Sequence, residues 1–123
     1  MSKHVLVIDD DAHIREVLAV ALADEGYKVL TASDGRVALD MVASRRPDVI
    51  LLDVRMPGSD GAEFCRRYRE QPGPHAPIIM LTAAYDYDAD ALPDDLQAAG
   101  MFSKPFRLDD VVRTIREQPH HSA

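Results

Sequence analysis

Five times along the chain a short apolar run is followed by a longer segment whose apolar residues recur at helical spacing, and this alternation limits the possible folds more than any other feature. A strand covered on both faces reads as an unbroken apolar run, whereas a helix lying on a sheet shows an apolar residue every three or four positions. Residues 5–8 form the first such strand, and the next segment places Ile14, Val17, Leu18, Ala21 and Leu22 on one helical face before Gly26 ends it. Residues 27–32 give a second strand. Asp34 then opens a helix bearing Val37, Leu39, Met41 and Val42, which has to stop before Pro47. Residues 49–52 read as a strand buried on both faces, followed by a turn over 57–61 and a helix with Phe64, Cys65 and Tyr68 that runs to about Glu70. Residues 77–81 and 101–103 supply the last two strands, and Leu108, Val111, Val112 and Ile115 mark the inner face of the last helix. A weak fourth helix is expected within 86–99, with Pro93 in its first turn or breaking it, and 118–123 reads as a frayed polar tail.

Strands that alternate with crossover helices form a parallel sheet with helices on both faces. A chain of 123 residues with five such units fits one domain over 1–123, its core at about 4–117. The expected class is α/β, a flavodoxin-like doubly wound five-stranded parallel sheet of order 2-1-3-4-5. Ligands of such sheets bind beyond the carboxyl ends of the strands, where the strand order reverses. The first and third strands flank that point.

Composition removes several function classes. A formal charge of −7 opposes non-specific attraction to DNA or anionic lipid, so neither nucleic-acid nor membrane contact is expected. The apolar runs are too short to span a bilayer, and the N-terminus lacks a signal-peptide layout, which points to the cytoplasm. A single cysteine, Cys65, has no internal disulfide partner and reads as a buried helix residue. His4, His13, His75, His120 and His121 lack ligand spacing and read as surface residues.

The residues at the carboxyl ends of the strands form a chemically coherent set. The first strand ends in Asp9-Asp10-Asp11, the third in Asp53, the fourth in Thr82 and the fifth in Ser103-Lys104-Pro105. Taken singly, each has a plain reading: an Asp after a strand caps the next helix as readily as it binds metal, Thr is at home in strands, and Asp53 alone is a turn former. Taken together, crowded carboxylates repel one another unless a cation sits among them, and Mg2+ suits a partial site of two or three oxygens. A carboxylate nucleophile forms an acyl phosphate, a transfer that needs charge neutralisation and in-line placement more than it needs a base.

With those residues in place, the chain resembles the response-regulator receiver family over about residues 4–117. The resemblance rests on VLVIDDD at 5–11, VILLDVRMPGSDG at 49–61, IMLTA at 79–83 and SKPF at 103–106. It implies that Asp53 is the phosphoacceptor, that Asp9 and Asp10 hold Mg2+ directly or through water, and that the backbone carbonyl of Arg55 is a further ligand. Thr82 and Lys104 would bind the phosphoryl oxygens, the small Ala83 would leave access to them, and the Lys104–Pro105 peptide would be cis. The resemblance also implies a histidine kinase or phosphotransfer protein as donor and a downstream effector protein as reader. The domain would be a monomer or weak dimer in two-component signalling, catalysing only its own phosphorylation and dephosphorylation. The effector face would be the surface of the fourth helix, fifth strand and fifth helix.

Three departures from the family pattern stand out. Met101 occupies the position, three before the Lys, where the family usually carries Tyr or Phe, so the expected switch pairs Thr82 with a flexible apolar residue. Phe102 alternates to the other face and reads as core. Asp86, Asp88, Asp90, Asp94 and Asp95 crowd the fourth-helix segment around Tyr85 and Tyr87, which reads as a solvated acidic loop before it reads as a docking surface for a basic partner. Nothing follows the fifth helix, so the chain is expected to act through another protein. Two rival readings differ in class. A haloacid-dehalogenase-like phosphatase places a second acid two residues after its aspartyl nucleophile, where this chain has Arg55. An unphosphorylated pseudo-receiver would have no need of the intact Asp9, Asp10, Asp53, Thr82 and Lys104.

Overall fold

The computed structural model describes residues 3–53, 55–56, 59–83, 99–104 and 106–118; at 55, 56, 59, 60, 62, 82, 83, 103 and 104 it describes the backbone. The apolar runs become β1 (His4–Ile8), β2 (Lys28–Ala32), β3 (Val49–Asp53), β6 (Ile78–Ala83) and β7 (Gly100–Lys104). The segments of helical period become α1 (Ala12–Asp24), α2 (Gly35–Arg45), α3 (Gly61–Glu70) and α4 (Leu108–Glu117). Across the sheet the order is β2-β1-β3-β6-β7 with every neighbouring pair parallel, which is the expected 2-1-3-4-5. Residues 84–98, Pro105 and 119–123 lie outside the described residues, and with them the expected fourth helix, the cis peptide and the tail.

Strand alternation divides the core into two layers. Leu6, Ile8, Ile50, Leu52, Ile78 and Met80 face α2 and α3, where Ala38, Val42, Phe64, Cys65 and Tyr68 cover them. Val5, Val7, Val49, Leu51, Ile79 and Leu81 face α1 and α4, packed by Leu18, Leu22, Val111, Val112 and Ile115. Met101 packs against the first layer and Phe102 against the second, so Phe102 belongs to the core on the opposite face, as its alternation requires.

Helix ends follow local chemistry. Asp11 caps α1 by accepting from the N–H groups of His13 and Ile14, and Asp34 caps α2 by accepting from Val37. At the far end of α1, Gly26 takes a φ of 93°, the Gly26 N–H reaches Ala23 and the Tyr27 N–H reaches Leu22, a Schellman closure that requires a left-handed residue. After α2, Arg46 takes a left-handed φ of 44° immediately before Pro47 and donates its N–H to the Val42 carbonyl. Buried Lys3 donates its Nζ to the carbonyls of Ile115 and Gln118 at 3.3 and 2.8 Å, so a cation meets the negative end of the α4 dipole.

The structure departs from the sequence reading at three places. Val17 was expected on the inner face of α1 but is 36% exposed, and Val37 of α2 is 41% exposed, because Leu18, Leu22, Ala38 and Val42 define the buried stripes and each valine lies one residue off them. Within the segment expected as a turn over 57–61, Ser59–Asp60 form β5, paired antiparallel with β4 (Arg55–Met56), and residues 57 and 58 between them lie outside the described residues. Finally, β6 runs two residues beyond Leu81, carrying the backbone of Thr82 and Ala83 to the sheet edge.

Tyr68 ties α3 to the strand that follows. Its hydroxyl accepts the buried Ala76 N–H at 2.7 Å, and its ring stacks on Phe64 with centroids 5.8 Å apart. Burial pushes this hydroxyl above its ordinary 10.0, against smaller opposing effects of the Ala76 N–H and the Arg69 charge. The native state therefore holds the proton more tightly than the unfolded chain. This contribution to stability is whole below the unfolded pKa and is lost as pH rises through the native value. Tyr68→Phe is expected to cost about 1–3 kcal/mol at neutral pH by orphaning the Ala76 N–H, and to flatten the alkaline loss of stability. Urea unfolding at neutral pH and above pH 10 checks both, and an unchanged alkaline slope would count against the account.

Candidate functional site

Register brings the chemically active residues to one edge. Ile8 of β1 pairs with Leu52 of β3, so one further step sets Asp9 level with Asp53, and Asp53 in turn pairs with Leu81. Beyond Leu81 stands Thr82, opposite Ser103, and then Ala83, opposite Lys104. The acid, hydroxyl and lysine positions thus fall within a few rungs of one another at the carboxyl ends of neighbouring strands. β1 and β3 are the two central strands where the connection order reverses, which is where sheets of this kind bind ligands.

The turn between β1 and α1 is held by its own backbone. Asp9 donates its N–H to the Ala32 carbonyl, continuing the ladder with β2, and its Oδ1 accepts the Asp11 N–H at 2.9 Å, an Asx-turn around Asp10. Asp11 is occupied as the α1 cap. The acid triplet therefore divides its work: the third carboxylate closes a helix, and the first two face the third strand. Asp9 and Asp53 are buried, at 0% and 4% exposure, while Asp10 is open to solvent.

Carboxylate oxygens of Asp9, Asp10 and Asp53 all lie within 4.8 Å of one another. Opposite oxygens around Mg2+ are separated by about 4.2 Å at metal–oxygen distances near 2.1 Å, so these three groups fit a small, hard, six-coordinate cation with minor adjustment. Oxygen-only donors, two of them shielded from water, favour such a cation over the softer metals that select nitrogen and sulfur. Arg55 begins β4, its backbone paired with Asp60, two residues after Asp53. For Thr82, Ala83 and Lys104 the backbone places the residues at the edge, and their side chains lie outside the description. Met101, at the suggested switch position, is half-buried and pairs with Met80.

The sequence reading passed over Arg15. Its Nη1 donates to the Asp9 carbonyl at 2.6 Å, bracing the turn that carries the acids. The signal was present in the chain: a cation in the opening turns of a helix sits against the positive end of its dipole, and this one comes after an acid triplet.

A family model described as "Response regulator receiver domain" matches residues 5–116. The chain belongs to the response regulator receiver family. Among its relatives, the response regulator MprA of Mycolicibacterium vanbaalenii is 42% identical over 116 residues, covering 94% of this chain and 50% of that protein. MprA of Mycobacterium tuberculosis is 43% identical over the same length and shares. The receiver domain thus spans about half the length of the MprA regulators it matches. Among solved structures, the chemotaxis response regulator CheY4 of Vibrio cholerae superposes with a TM-score of 0.86 at 35% identity, covering 97% of this chain and 100% of that one. A putative response regulator from Chloroflexus aurantiacus gives 0.85 at 33% identity, covering 94% and 96%. Like the receivers it resembles, the chain carries the five-stranded parallel sheet, and no helix among the described residues is long and apolar enough to cross a membrane.

Proposed function

We propose that this receiver domain accepts a phosphoryl group on the carboxylate of Asp53 from a histidine kinase or phosphotransfer protein, in a reaction that depends on Mg2+. The observation that carries the reading is the meeting of the Asp9, Asp10 and Asp53 carboxylates within 4.8 Å at the carboxyl edge of the sheet. In the transfer, an Asp53 oxygen forms a bond to phosphorus as the bond from phosphorus to the donor breaks, and the donor leaves with its electron pair. Mg2+ held by Asp9, Asp10, Asp53 and the Arg55 carbonyl would neutralise the charge gathering there. Thr82 donates a hydrogen bond to one phosphoryl oxygen and Lys104 a point charge to another. Ala83 leaves room for the group to enter.

The added phosphoryl group carries nearly two negative charges and new acceptor oxygens. Thr82 and Lys104 move toward it and draw the chain that follows them, which changes the effector face that includes β7 and α4. That surface binds a downstream effector protein in the cytoplasm. Met101, packed half-buried against the α2–α3 layer, supplies an apolar and flexible counterpart to the switch at Thr82. The absence of an acid two residues after Asp53 argues against turnover as a phosphatase, since Arg55 stands there.

Incubation with Mg2+ and acetyl phosphate, followed by intact mass, tests the reading. Wild type is expected to gain one phosphoryl group and Asp53→Asn none, and chelation of the metal should abolish the gain. Equal labelling of the two proteins would reject Asp53 as the acceptor. Repeated turnover of a generic phosphate ester would favour the phosphatase instead.

A further inference from the structure

Arg15 is out of place by the rules of an isolated helix. It is the fourth residue of α1, where a cation lies at the positive end of the helix dipole, and the acid at that end, Asp11, is engaged by the N–H groups of His13 and Ile14. Side chains of a helix lean toward its N-terminus, so this guanidinium is carried back over the turn between β1 and α1. There its Nη1 meets the main-chain oxygen of Asp9 at 2.6 Å, a short charge-assisted hydrogen bond in a half-buried setting.

That oxygen belongs to the peptide joining Asp9 to Asp10. Because a peptide is planar, holding its carbonyl sets the plane, and the plane sets ψ of Asp9 and φ of Asp10. Those two angles set how the two acidic residues are oriented relative to one another. The rest of the turn is held as well: the Asp9 N–H by Ala32, the Asp9 Oδ1 by the Asp11 N–H, and the Asp11 carbonyl by the Arg15 N–H at 3.0 Å. The guanidinium closes this frame at the one carbonyl between the two acids.

We infer that Arg15 is a positioning residue of the cation site, acting through the Asp9–Asp10 peptide to hold both carboxylates in binding geometry toward Asp53. The inference rests on the reading of Asp9, Asp10 and Asp53 as a Mg2+ site. Charge and position make opposite demands, which gives the idea a sign. By Coulomb attraction alone, removing a cation beside three acids strengthens Mg2+ binding. If Arg15 acts by position, removing it weakens binding, and partners outside the ligand set usually matter by about 10- to 100-fold.

Mg2+ binding to the full chain, followed by amide chemical shifts, decides between them. Arg15→Met keeps a long apolar stem without a donor; Arg15→Ala removes the stem too; Arg15→Lys restores a charged donor of similar reach. The dissociation constant is expected to rise about tenfold in the first two variants and to return to within about threefold of wild type in the third. Acetyl phosphate labelling should need correspondingly more Mg2+ in the first two variants and a near wild-type concentration in the third. Unchanged or tighter Mg2+ binding by Arg15→Met and Arg15→Ala would overturn the inference, and so would unfolding of both, which would assign Arg15 to the fold. Failure of wild type itself to bind Mg2+ at millimolar concentration would instead remove the site reading on which the inference stands.

Discussion

Phe64→Ala is expected to lower the unfolding free energy by about 3–5 kcal/mol, the range for emptying a buried aromatic site. The ring is 1% exposed and stacks on Tyr68 at an interplanar angle of 11°, within the layer that joins α2 and α3 to the sheet. Leu52, Met80 and Val42 of the same layer belong to hydrogen-bonded strands and a capped helix, so the cavity has little freedom to collapse. Native domains hold only about 5–15 kcal/mol in reserve, so the variant should stand near the edge of folding at physiological temperature. Urea unfolding should show a lower midpoint with an unchanged slope, because the surface exposed on unfolding is nearly the same. A loss below about 1 kcal/mol would mean that this layer is not packed as described. Asp53 lies at the carboxyl edge, so the fraction that remains folded should still take up phosphoryl groups.

Saturating Mg2+ is expected to stabilise wild type by about 2.7 kcal/mol when held at a hundred times its dissociation constant, and the gain should vanish in Asp53→Asn. For a domain of this size that corresponds to a rise on the order of 10 °C in Tm. The physical basis is the grouping of the Asp9, Asp10 and Asp53 carboxylates, whose oxygens lie within 4.8 Å of one another. A divalent cation bound in the folded state would relieve the mutual repulsion of these groups, and the unfolded chain has no such grouping to bind it. Without Mg2+, Asp53→Asn should be at least as stable as wild type, because it removes one member of the crowd. Thermal unfolding of both proteins with and without Mg2+ gives the four values needed. Equal Mg2+ stabilisation of wild type and variant would show that the cation binds elsewhere.

These effects were legible to different degrees in the chain. Strand positions, the parallel order and the two-sided burial of residues 49–52 follow from apolar periodicity, because period alone separates a covered strand from a surface helix. Asp9, Asp10 and Asp53 were also legible, since strand ends in such a sheet converge whatever the sequence distance between them. Which acid of Asp9-Asp10-Asp11 would cap the helix was not legible. Each has the same side chain, and only the course of the turn directs the third one to the N–H groups of His13 and Ile14. The exposure of Val17 was missed for a related reason: valine is apolar wherever it stands, and only packing decides which stripe of the helix meets the sheet.

By itself, then, the sequence determined the class of fold, the register of apolar faces and the set of residues that would gather at the sheet edge. These depend on local periodicity and on connection rules that hold for any chain of this pattern. Tertiary structure alone decided the β4–β5 ribbon, the division of labour among the three leading aspartates and the hold of Arg15 on the Asp9 carbonyl. Each of these is a hydrogen-bond choice among chemically equivalent partners. Such choices are made by distances of a few tenths of an ångström, and those distances exist only once the chain has packed.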